Sequence, residues 1–351
     1  MRLPPPRTRD PLRAPAIRWG VLGPGSIANA FTEAISSGTA STVVAVGSRS
    51  LARARAFANR HEISRAHGSY EDLVADGRVD AIYVATPHSA HHEHAMLALN
   101  AGKPVLVEKA FTRNAIEARE VFALASKRGL LAAEAMWSRY LPHYDVIKRA
   151  IEEGLLGQVV SVRAENGQRR WPDGPERLWR PELAGGSLLD LGVYPLSFAD
   201  HLLGRAASVT ASGLLTEGGV DAAAAVALTT TEGAGALVTS TLRASAPNTA
   251  VVVGTEARIE LSGPFYCPCL IRLIGPAGRV IDEQDWRDPV KTAGLRFQAA
   301  EFATSLVDGW RETVSMPPDA TMRVMEVMDE ARRQIGISYP GESSDTRSGR
   351  H

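Results

Sequence analysis

The segment Ile17–Ala28, with the sequence IRWGVLGPGSIA, carries the pattern that decides the fold. Its first half is a short apolar run, and its second half has the spacing G-x-G-x-x-A between a strand and a helix. Gly23 permits a tight turn, and Gly25 lacks a Cβ, so the backbone can approach a pyrophosphate. Ala28 is small enough for the helix to pack on the strand. The segment predicts a dinucleotide-binding loop; the alternative is a glycine turn that only reverses the chain.

The expected cofactor contacts continue from this loop to the end of the second predicted strand. The helix N-terminus at Ser26 and Ile27 offers free N–H groups and a positive dipole end to phosphates. About 20 residues further on, an NAD site usually has an acidic residue for the ribose 2′-hydroxyl, but this sequence has Ser48-Arg49-Ser50. Serine hydroxyls and a guanidinium can bind the 2′-phosphate that a carboxylate would repel. These residues favour NADP over NAD, unless Arg49 is only a solvated loop charge.

Outward from the loop, short apolar runs alternate with helical stretches as far as Trp137. Runs that are hydrophobic on both sides are typical of buried parallel strands, and the helices between them predict a doubly wound sheet. We therefore predict an N-terminal Rossmann domain over residues 16–138. Its predicted strands are Ile17–Leu22, Thr42–Val46, Val79–Ala85, Pro104–Val107 and Leu130–Ala135, and its predicted helices are Ile27–Ser36, Leu51–Arg60, His91–Ala101 and Arg113–Arg128.

The pattern changes after Tyr140, where many apolar runs alternate with polar residues and are separated by Gly, Asn or Pro. This alternation predicts a large open, mostly antiparallel sheet with one covered face. We expect an α+β substrate domain over residues 139–340, and disordered tails over residues 1–15 and 341–351. The predicted strands are 159–164, 207–215, 222–230, 236–242, 249–253, 258–261, 271–274 and 280–282, and the predicted helices are 143–153, 184–203, 295–308 and 320–335.

Composition and charge narrow the classes of protein that this chain can be. It has 351 residues, 44% of them hydrophobic, which favours two domains over one core. Lys and Arg total 39, as do Asp and Glu, so the basic surplus that nucleic-acid binding requires is absent. We find no apolar run long enough for a membrane span, no secretory signal, and too few cysteines for a disulfide framework. The expectation is a cytoplasmic protein that binds neither nucleic acid nor membrane.

Two candidate catalytic segments lie at the ends of predicted parallel strands, where ligands bind in open α/β sheets. Thr86-Pro87-His88 follows one strand, and Glu108-Lys109 follows the next. A partly desolvated Lys109 can exchange a proton with a substrate hydroxyl, and Glu108 can instead hold it charged. Glu-Lys is also a common surface dipeptide, so spacing alone does not decide between these interpretations.

A third candidate segment is GGSLLDLGVYP at residues 185–195, in which Asp190 and Tyr194 are four residues apart. On a helix the two side chains share a face. A carboxylate and a phenol on one face can bind a polyol and pass its proton. The alternative is that Tyr194 merely satisfies Asp190 inside the core.

These segments together resemble the Gfo/Idh/MocA family, named for glucose–fructose oxidoreductase, inositol dehydrogenase and a rhizopine-catabolism protein. The resemblance covers about residues 17–339 and implies a Rossmann domain followed by a domain whose open sheet forms the interface of a homodimer or homotetramer. It also implies hydride transfer between a nicotinamide and a carbon of a sugar, polyol or diol. The matching stretches are Gly23–Ala28, Ala85-Thr86-Pro87 with His91 downstream, Ala101–Pro104 leading into Glu108-Lys109, the GGSLLDLGVYP segment, and Arg332–Gly336 through Tyr339-Pro340.

The resemblance also implies roles for particular residues. The Lys of the family's Glu-Lys-Pro motif falls on Lys109, which implies contacts with the substrate hydroxyl and the nicotinamide ribose. Tyr194 stands where inositol dehydrogenases have His, as in the branch of dimeric dihydrodiol dehydrogenases, NADP-dependent xylose dehydrogenases and glucose–fructose oxidoreductase. There the Tyr is the proton donor or acceptor. The segment Met136–Tyr140 also resembles this branch, which implies NADP, with Trp137 and Arg139 near the cofactor.

The mechanism expected from these roles has Tyr194 taking the substrate hydroxyl proton as hydride leaves, with the charge of Lys109 lowering its pKa. Asp190 would bind another substrate hydroxyl or orient Lys109. The sequence departs from the family in one place, because Ala110 stands where a proline usually follows the Lys, often after a cis peptide. Either the peptide is trans and Lys109 shifts, or the site keeps the cis form.

The remaining candidates are aromatic, basic and metal-binding side chains. Trp137, Trp171, Trp179 and Arg180 could line the substrate pocket, although such tryptophans are more often core or interface residues. His88 and His92 could share a helical face, but they lack the further ligands of a zinc site, so we predict no metal and assign His88 and His91 to capping and cofactor contacts. Cys267-Pro268-Cys269 is too closely spaced for a redox or zinc motif.

Three functions remain open at this point. The first is an NADP-dependent dehydrogenase or reductase acting on a sugar, polyol or vicinal diol. The second is a glycosidase-like relative that uses NAD for transient oxidation, which Ser48-Arg49-Ser50 argues against. The third is a non-catalytic NADP-binding regulatory protein, which the presence of both Lys109 and Tyr194 argues against.

Overall fold

A computed structural model describes residues 1–170 and 173–342. In the first half of the chain, six parallel strands form one sheet in the order β3-β2-β1-β4-β5-β6, which confirms the predicted Rossmann fold. The strands are β1 (Arg18–Leu22), β2 (Thr42–Gly47), β3 (Arg65–His67), β4 (Ala81–Val84), β5 (Val105–Glu108) and β6 (Ala132–Ala135). The helices are α1 (Ser26–Gly38), α2 (Leu51–Arg60), α3 (Tyr70–Val74), α4 (His91–Asn100) and α5 (Ala115–Arg128).

The central strands of this sheet owe their stability to burial on both faces. Every residue of β4, β5 and β6 is buried, which explains why their sequences are almost continuously apolar. The sequence pattern does not predict β3 or α3, because the Arg65-Ala66-His67 strand is too short and polar to show a period. The strand order reverses between β1 and β4, so the carboxyl ends of these strands open a crevice at the switch point.

The second half of the chain forms an eight-stranded sheet in the order β14-β13-β12-β11-β7-β10-β9-β8. Neighbouring strands are antiparallel except β7 and β10, which pair in parallel, so the prediction of a mostly antiparallel sheet is confirmed. Burial alternates along β9 and β10, as expected for a sheet with one covered face. The strands are β7 (Val159–Gly167), β8 (Ser208–Leu215), β9 (Asp221–Thr229), β10 (Gly235–Thr241), β11 (Ala250–Gly254), β12 (Arg258–Leu261), β13 (Leu270–Ile274) and β14 (Val280–Asp285).

The second half of the chain has four longer helices, and two of them, α7 and α9, pack on the eight-stranded sheet. Helix α7 contacts β7, and α9 contacts β8; α8 contacts α1 of the Rossmann domain, and α9 also contacts α5. Within the described ranges, no helix is both long and apolar enough to cross a lipid bilayer. The four helices are α6 (Pro142–Glu152), α7 (Val193–Leu203), α8 (Leu295–Val307) and α9 (Pro318–Ile335).

The helix predicted over residues 184–203 begins later than expected. Residues 188–192 form a π-helical turn that leads into α7. The preceding Gly186 has φ +113°, and a Cβ there would lie 2.1 Å from an Asp221 carboxylate oxygen. Asp221 instead accepts hydrogen bonds from the Ser187 hydroxyl and the Leu188 N–H, at 2.6 and 2.7 Å. This buried carboxylate therefore fixes where the π turn starts.

The first fifteen residues differ from the expected disordered tail, because they dock on the second half of the chain. Leu3 is buried, and its N–H donates to Asp282 at 2.8 Å. The Arg7 guanidinium donates to Asp145 at 2.8 Å and to Glu152 at 3.1 Å. Because these contacts join residues that are far apart in sequence, the local Pro- and Arg-rich composition does not predict them. The tail predicted over residues 341–351 lies outside the described residues beyond Glu342.

Candidate active site

A cleft of about 740 Å³ runs along the carboxyl ends of the parallel strands and continues onto the second domain. Its size is typical of a small-molecule or cofactor site. The cleft brings together most of the residues predicted for the site. The described residues that line it are Gly23, Pro24, Gly25, Ser26, Ile27, Ala30, Ser48, Arg49, Ser50, Arg53, Tyr70, Ala85, Thr86, Pro87, His88, His91, Glu108, Lys109, Gln168, Arg170, Arg177, Asp190, Leu191, Tyr194, Tyr266 and Thr292.

The glycine loop has the geometry that a pyrophosphate requires. Gly23 has φ +99°, and a Cβ there would lie 2.9 Å from Thr86 Cγ2, so only glycine fits. A Cβ at Gly25 would meet only the Ala85 carbonyl oxygen, at 3.8 Å, so this position faces open space. No described side chain caps α1 at Gly25, which leaves its first N–H groups free for an anion. Ala28, also expected among the cofactor-binding residues, is fully buried beneath the loop and packs there without lining the cleft.

The end of β2 supplies hydroxyls and cations to the cleft. Ser48 is buried, Arg49 is exposed, and the Ser50 hydroxyl caps α2 by accepting from the Arg53 N–H at 3.4 Å. Arg53 also lines the cleft; sequence reasoning missed it, although its place one turn into α2 was a usable signal. The carboxylates among the described lining residues are Glu108 and Asp190, both on the far side of the site. The β2 end is therefore suited to an anion.

Lys109, at the end of β5, lies beside Asp190 of the π turn. Its Nζ is 2.6 Å from the Asp190 carbonyl oxygen and 3.3 Å from Oδ1, and Arg177 donates to the same Oδ1 at 3.1 Å. Burial alone would raise the pKa of Asp190, but the charges of Lys109 and Arg177 outweigh it and hold the pKa well below its usual range. Asp190 therefore stays ionised and orients Lys109. The Lys109–Ala110 peptide is cis, as in the family pattern, although proline is absent.

Tyr194, in the first turn of α7, lines the same cleft as Lys109 and Asp190. Its hydroxyl accepts a hydrogen bond from Trp137 Nε1 at 3.0 Å, and Lys109 Nζ lies 4.9 Å from its ring centre. The ring of Tyr266 stacks on it at 4.6 Å. Tyr194 is therefore bonded to a tryptophan and does not merely satisfy Asp190. The net shift is nevertheless upwards, because burial, reinforced by Glu108, raises the pKa of Tyr194 well above 10.

Glu108 lies beneath the lysine in a buried position. Tyr83 donates a hydrogen bond to its Oε1, and the Lys109 N–H donates to Oε2 at 3.3 Å. Burial raises the pKa of Glu108 to about 7, and these hydrogen bonds only partly oppose the rise. Sequence reasoning missed Tyr83, which is a mid-strand residue whose apolar neighbours give no sign of a polar role. The carboxyl group of Glu108 therefore changes charge within the physiological pH range.

Two buried histidines hold the backbone around the lysine. His88 ring nitrogens lie 3.1 Å from the carbonyl oxygens of Ala184 and Lys109, and those of His91 lie 2.9 and 2.8 Å from those of Ala110 and Thr86. Burial lowers the pKa of His88 to about 3 and that of His91 to about 4, so at pH 7 each neutral ring donates to only one of its two carbonyl oxygens. Across the described ranges, no group of three metal-ligating side chains occurs. The histidines are backbone-positioning groups.

Five predicted residues have other positions or fall outside the description. Trp137 lies behind Tyr194 rather than on the cleft wall. Arg139 is buried and donates to the Ser197 carbonyl at 2.8 Å and to Asp200 at 3.4 Å, so it forms a core ion pair and not a cofactor contact. Arg180 is more than half exposed and pairs with Glu176 and Glu182, outside the cleft. Trp171 lies outside the described residues, and Trp179 packs beside Leu178.

The substrate side of the cleft is built largely from residues that sequence reasoning missed. Gln168 and Arg170 extend the end of β7, and Arg177 precedes the π turn. Tyr266 comes from a later loop, and Thr292 from a short 3-10 helix before α8. These positions are separated by up to 124 residues, and no motif links them; only the tertiary fold brings them to Tyr194.

A dinucleotide loop in one cleft with a lysine, a carboxylate and a phenol defines an NAD(P)-dependent oxidoreductase. Residues 17–136 match the model of an oxidoreductase family with an NAD-binding Rossmann fold, and residues 144–260 match the GFO/IDH/MocA C-terminal domain. The chain belongs to the Gfo/Idh/MocA family, which confirms the resemblance seen in its motifs.

Curated relatives and solved structures match nearly the whole chain. A trans-1,2-dihydrobenzene-1,2-diol dehydrogenase of Danio rerio is 34% identical, with 93% of this chain and 99% of the relative covered. The enzyme of that name in Homo sapiens is 33% identical, with 93% and 98% covered. The crystal structure of a 3-ketoreductase from Actinomadura kijaniata with NADP and TDP-benzene has a TM-score of 0.80 at 27% identity, with 92% and 98% covered.

Proposed function

We propose that this protein is an NADP-dependent oxidoreductase that acts on a carbinol or carbonyl carbon of a sugar, polyol or vicinal diol. One observation carries the proposal: the glycine loop and the Lys109–Asp190–Tyr194 group open into the same cleft. When bound, NADP would supply or accept the hydride. Relatives named dihydrodiol dehydrogenases and a ketoreductase solved with NADP support this reaction class.

The preference for NADP rests on the end of β2. Residues 23–27 would hold the pyrophosphate, and Ser48, Arg49 and Ser50 would hold the 2′-phosphate, with Arg53 contributing a second guanidinium. A phosphate in this place gains charge-assisted hydrogen bonds. The absence of a carboxylate from the described lining at this end removes the group that would select the 2′-hydroxyl of NAD.

Proton transfer at the substrate oxygen is assigned to Tyr194. Because burial keeps its pKa well above 10, the phenol holds its proton at pH 7 and is ready to donate it to a carbonyl oxygen being reduced. Trp137 fixes the phenol oxygen by its 3.0 Å hydrogen bond. Lys109 would bind the substrate oxygen and stabilise negative charge on it, while Asp190 holds the ammonium in place.

The experiment that tests the cofactor assignment is a fluorescence titration of the protein with NADPH and with NADH. We expect NADPH to bind at least about tenfold more tightly, and the preference to be lost in Arg49→Asp. Arg55→Asp is the matched control, because Arg55 is exposed on α2, just after Arg49, and does not line the cleft. Equal or tighter binding of NADH would overturn the assignment.

The catalytic assignment is tested by turnover after the cofactor is bound. Tyr194→Phe and Lys109→Met should each lower kcat for diol oxidation and carbonyl reduction by about 10²-fold or more. Both variants should still bind NADPH, because the phosphate contacts lie at the other end of the cleft. A Tyr194→Phe enzyme with the wild-type kcat would remove the phenol from the mechanism.

The proposal also includes the oligomeric state of the protein and its location in the cell. Exposed apolar side chains on the eight-stranded sheet, Val160, Leu214 and Leu237, support a homodimer or homotetramer through this face. The two cysteines are free and buried, which suits a reducing cytoplasm. Light scattering should give a mass of two or four chains, and Leu237→Asp should lower that mass.

A further inference from the structure

The substrate end of the cleft has a surplus of positive charge. Its described lining includes the cations Lys109, Arg170 and Arg177, against Asp190 and the deeper Glu108. Asp190 is already bound by Lys109 and Arg177, at 3.3 and 3.1 Å. No described carboxylate lies within 4.0 Å of Arg170. A guanidinium without a counter-ion beside the reacting group favours an anion.

Arg170 is also held in place rather than left as a mobile surface charge. Its Nη2 donates to Gln168 Oε1 at 2.9 Å, and Gln168 Nε2 donates to the Tyr266 hydroxyl at 3.1 Å. Tyr266 in turn stacks on Tyr194, the proton donor. The backbone is fixed too, since the Arg170 N–H donates to the Leu242 carbonyl at 2.8 Å. This chain of contacts sets the guanidinium at a defined place relative to the reacting oxygen.

We propose that the substrate carries an anionic group, a carboxylate or a phosphate, which Arg170 binds while Tyr194 and Lys109 engage the carbinol. This inference rests on the proposed function and adds the class of substrate: sugar acids or sugar phosphates rather than neutral sugars or diols. Arg177, half-exposed and shared with Asp190, lies beside the same space and adds to the attraction.

The test compares three sugars that differ only at C6: glucose, glucuronate and glucose 6-phosphate. We expect kcat/KM with NADP to be at least about tenfold higher for one of the two anions than for glucose, through a lower KM. The better anion identifies a carboxylate or a phosphate site. The advantage should shrink as salt is raised, because the guanidinium is exposed to solvent.

Arg170→Gln tests the residue itself. In this variant the ratio of kcat/KM for the anion to that for glucose should fall towards one. Arg169→Gln is the matched control: Arg169 is the exposed neighbour outside the cleft lining, and its loss should leave the ratio unchanged. If Arg170→Gln weakens NADPH binding and leaves the ratio alone, the guanidinium serves the cofactor and the inference is overturned.

The remaining outcomes separate this inference from the proposed function. Turnover of glucose, or of trans-1,2-dihydrobenzene-1,2-diol, at least as efficient as that of both anions overturns the anion site and leaves the proposed function standing. If no probe is turned over, calorimetry measures whether each anion binds to the NADP-loaded protein. Binding of neither anion overturns the inference. A protein that binds neither NADPH nor NADH fails the proposed function, and the anion site fails with it.

Discussion

Glu134 offers a sharp test of the buried electrostatics, because it lies on β6 away from the reacting groups. The residue is 1% exposed, and burial raises the pKa of its carboxyl group from an ordinary 4.5 to about 7. Between these values the folded protein keeps a proton that the unfolded chain has lost, so stability falls as pH rises and levels off above the folded pKa. The full loss is about 3 kcal/mol, and most of it falls between about pH 5 and about pH 8.5.

Glu134→Gln removes this titration while keeping the shape of the side chain. Relative to the wild type, the variant should gain about 2 to 3 kcal/mol of unfolding free energy when the pH changes from about 5 to about 8.5. Urea denaturation of both proteins at the two pH values measures this difference. Glu33→Gln, at an exposed position on α1, is the control and should show no such gain. A Glu134→Gln difference that is the same at both pH values would refute the buried-carboxyl argument.

Three further predictions concern the cleft. Gly25→Val should fold normally, because a Cβ there meets only one atom at 3.8 Å, but should weaken NADPH binding by at least about tenfold, as measured by titration. Trp137→Phe removes the 3.0 Å hydrogen bond that lowers the pKa of Tyr194, so the pH profile of alcohol oxidation should shift to higher pH; an unshifted profile would contradict this role. In the wild type, oxidation should accelerate as pH rises towards the raised pKa of Tyr194, whereas carbonyl reduction should not, and rates measured in both directions across the alkaline range check this.

Much of the fold follows from local pattern. The glycine loop at residues 23–28 and the alternation of buried strands with helices were enough to predict the Rossmann sheet, and the period-two strands predicted the second sheet. The parallel pairing of β7 with β10 was not predictable in the same way, because strand direction depends on which strands become neighbours in space.

The residues of the site also fall into two groups, those in local motifs and those that only the tertiary fold brings together. Lys109, Asp190 and Tyr194 belong to segments with a recognisable spacing, and the structure brings all three into one cleft. Arg139 was misassigned because it was placed near the cofactor from the resemblance of the segment Met136–Tyr140, whereas the fold pairs it with the buried Asp200. Arg170 and Tyr266 were missed because their meeting depends on a sheet and a loop nearly a hundred residues apart.

The stretch between β7 and the π turn contributes Gln168, Arg170 and Arg177 to the cleft but no part of the nucleotide loop. The residues expected to contact the substrate and those of the nucleotide loop therefore lie in separate segments of the chain. A lineage could exchange or lengthen this stretch and acquire a new substrate while hydride transfer and cofactor choice stayed as they were. In the laboratory, the equivalent stretch from a relative can be grafted to change specificity if Arg177 is retained, because Arg177 donates to the Asp190 carboxylate that orients Lys109.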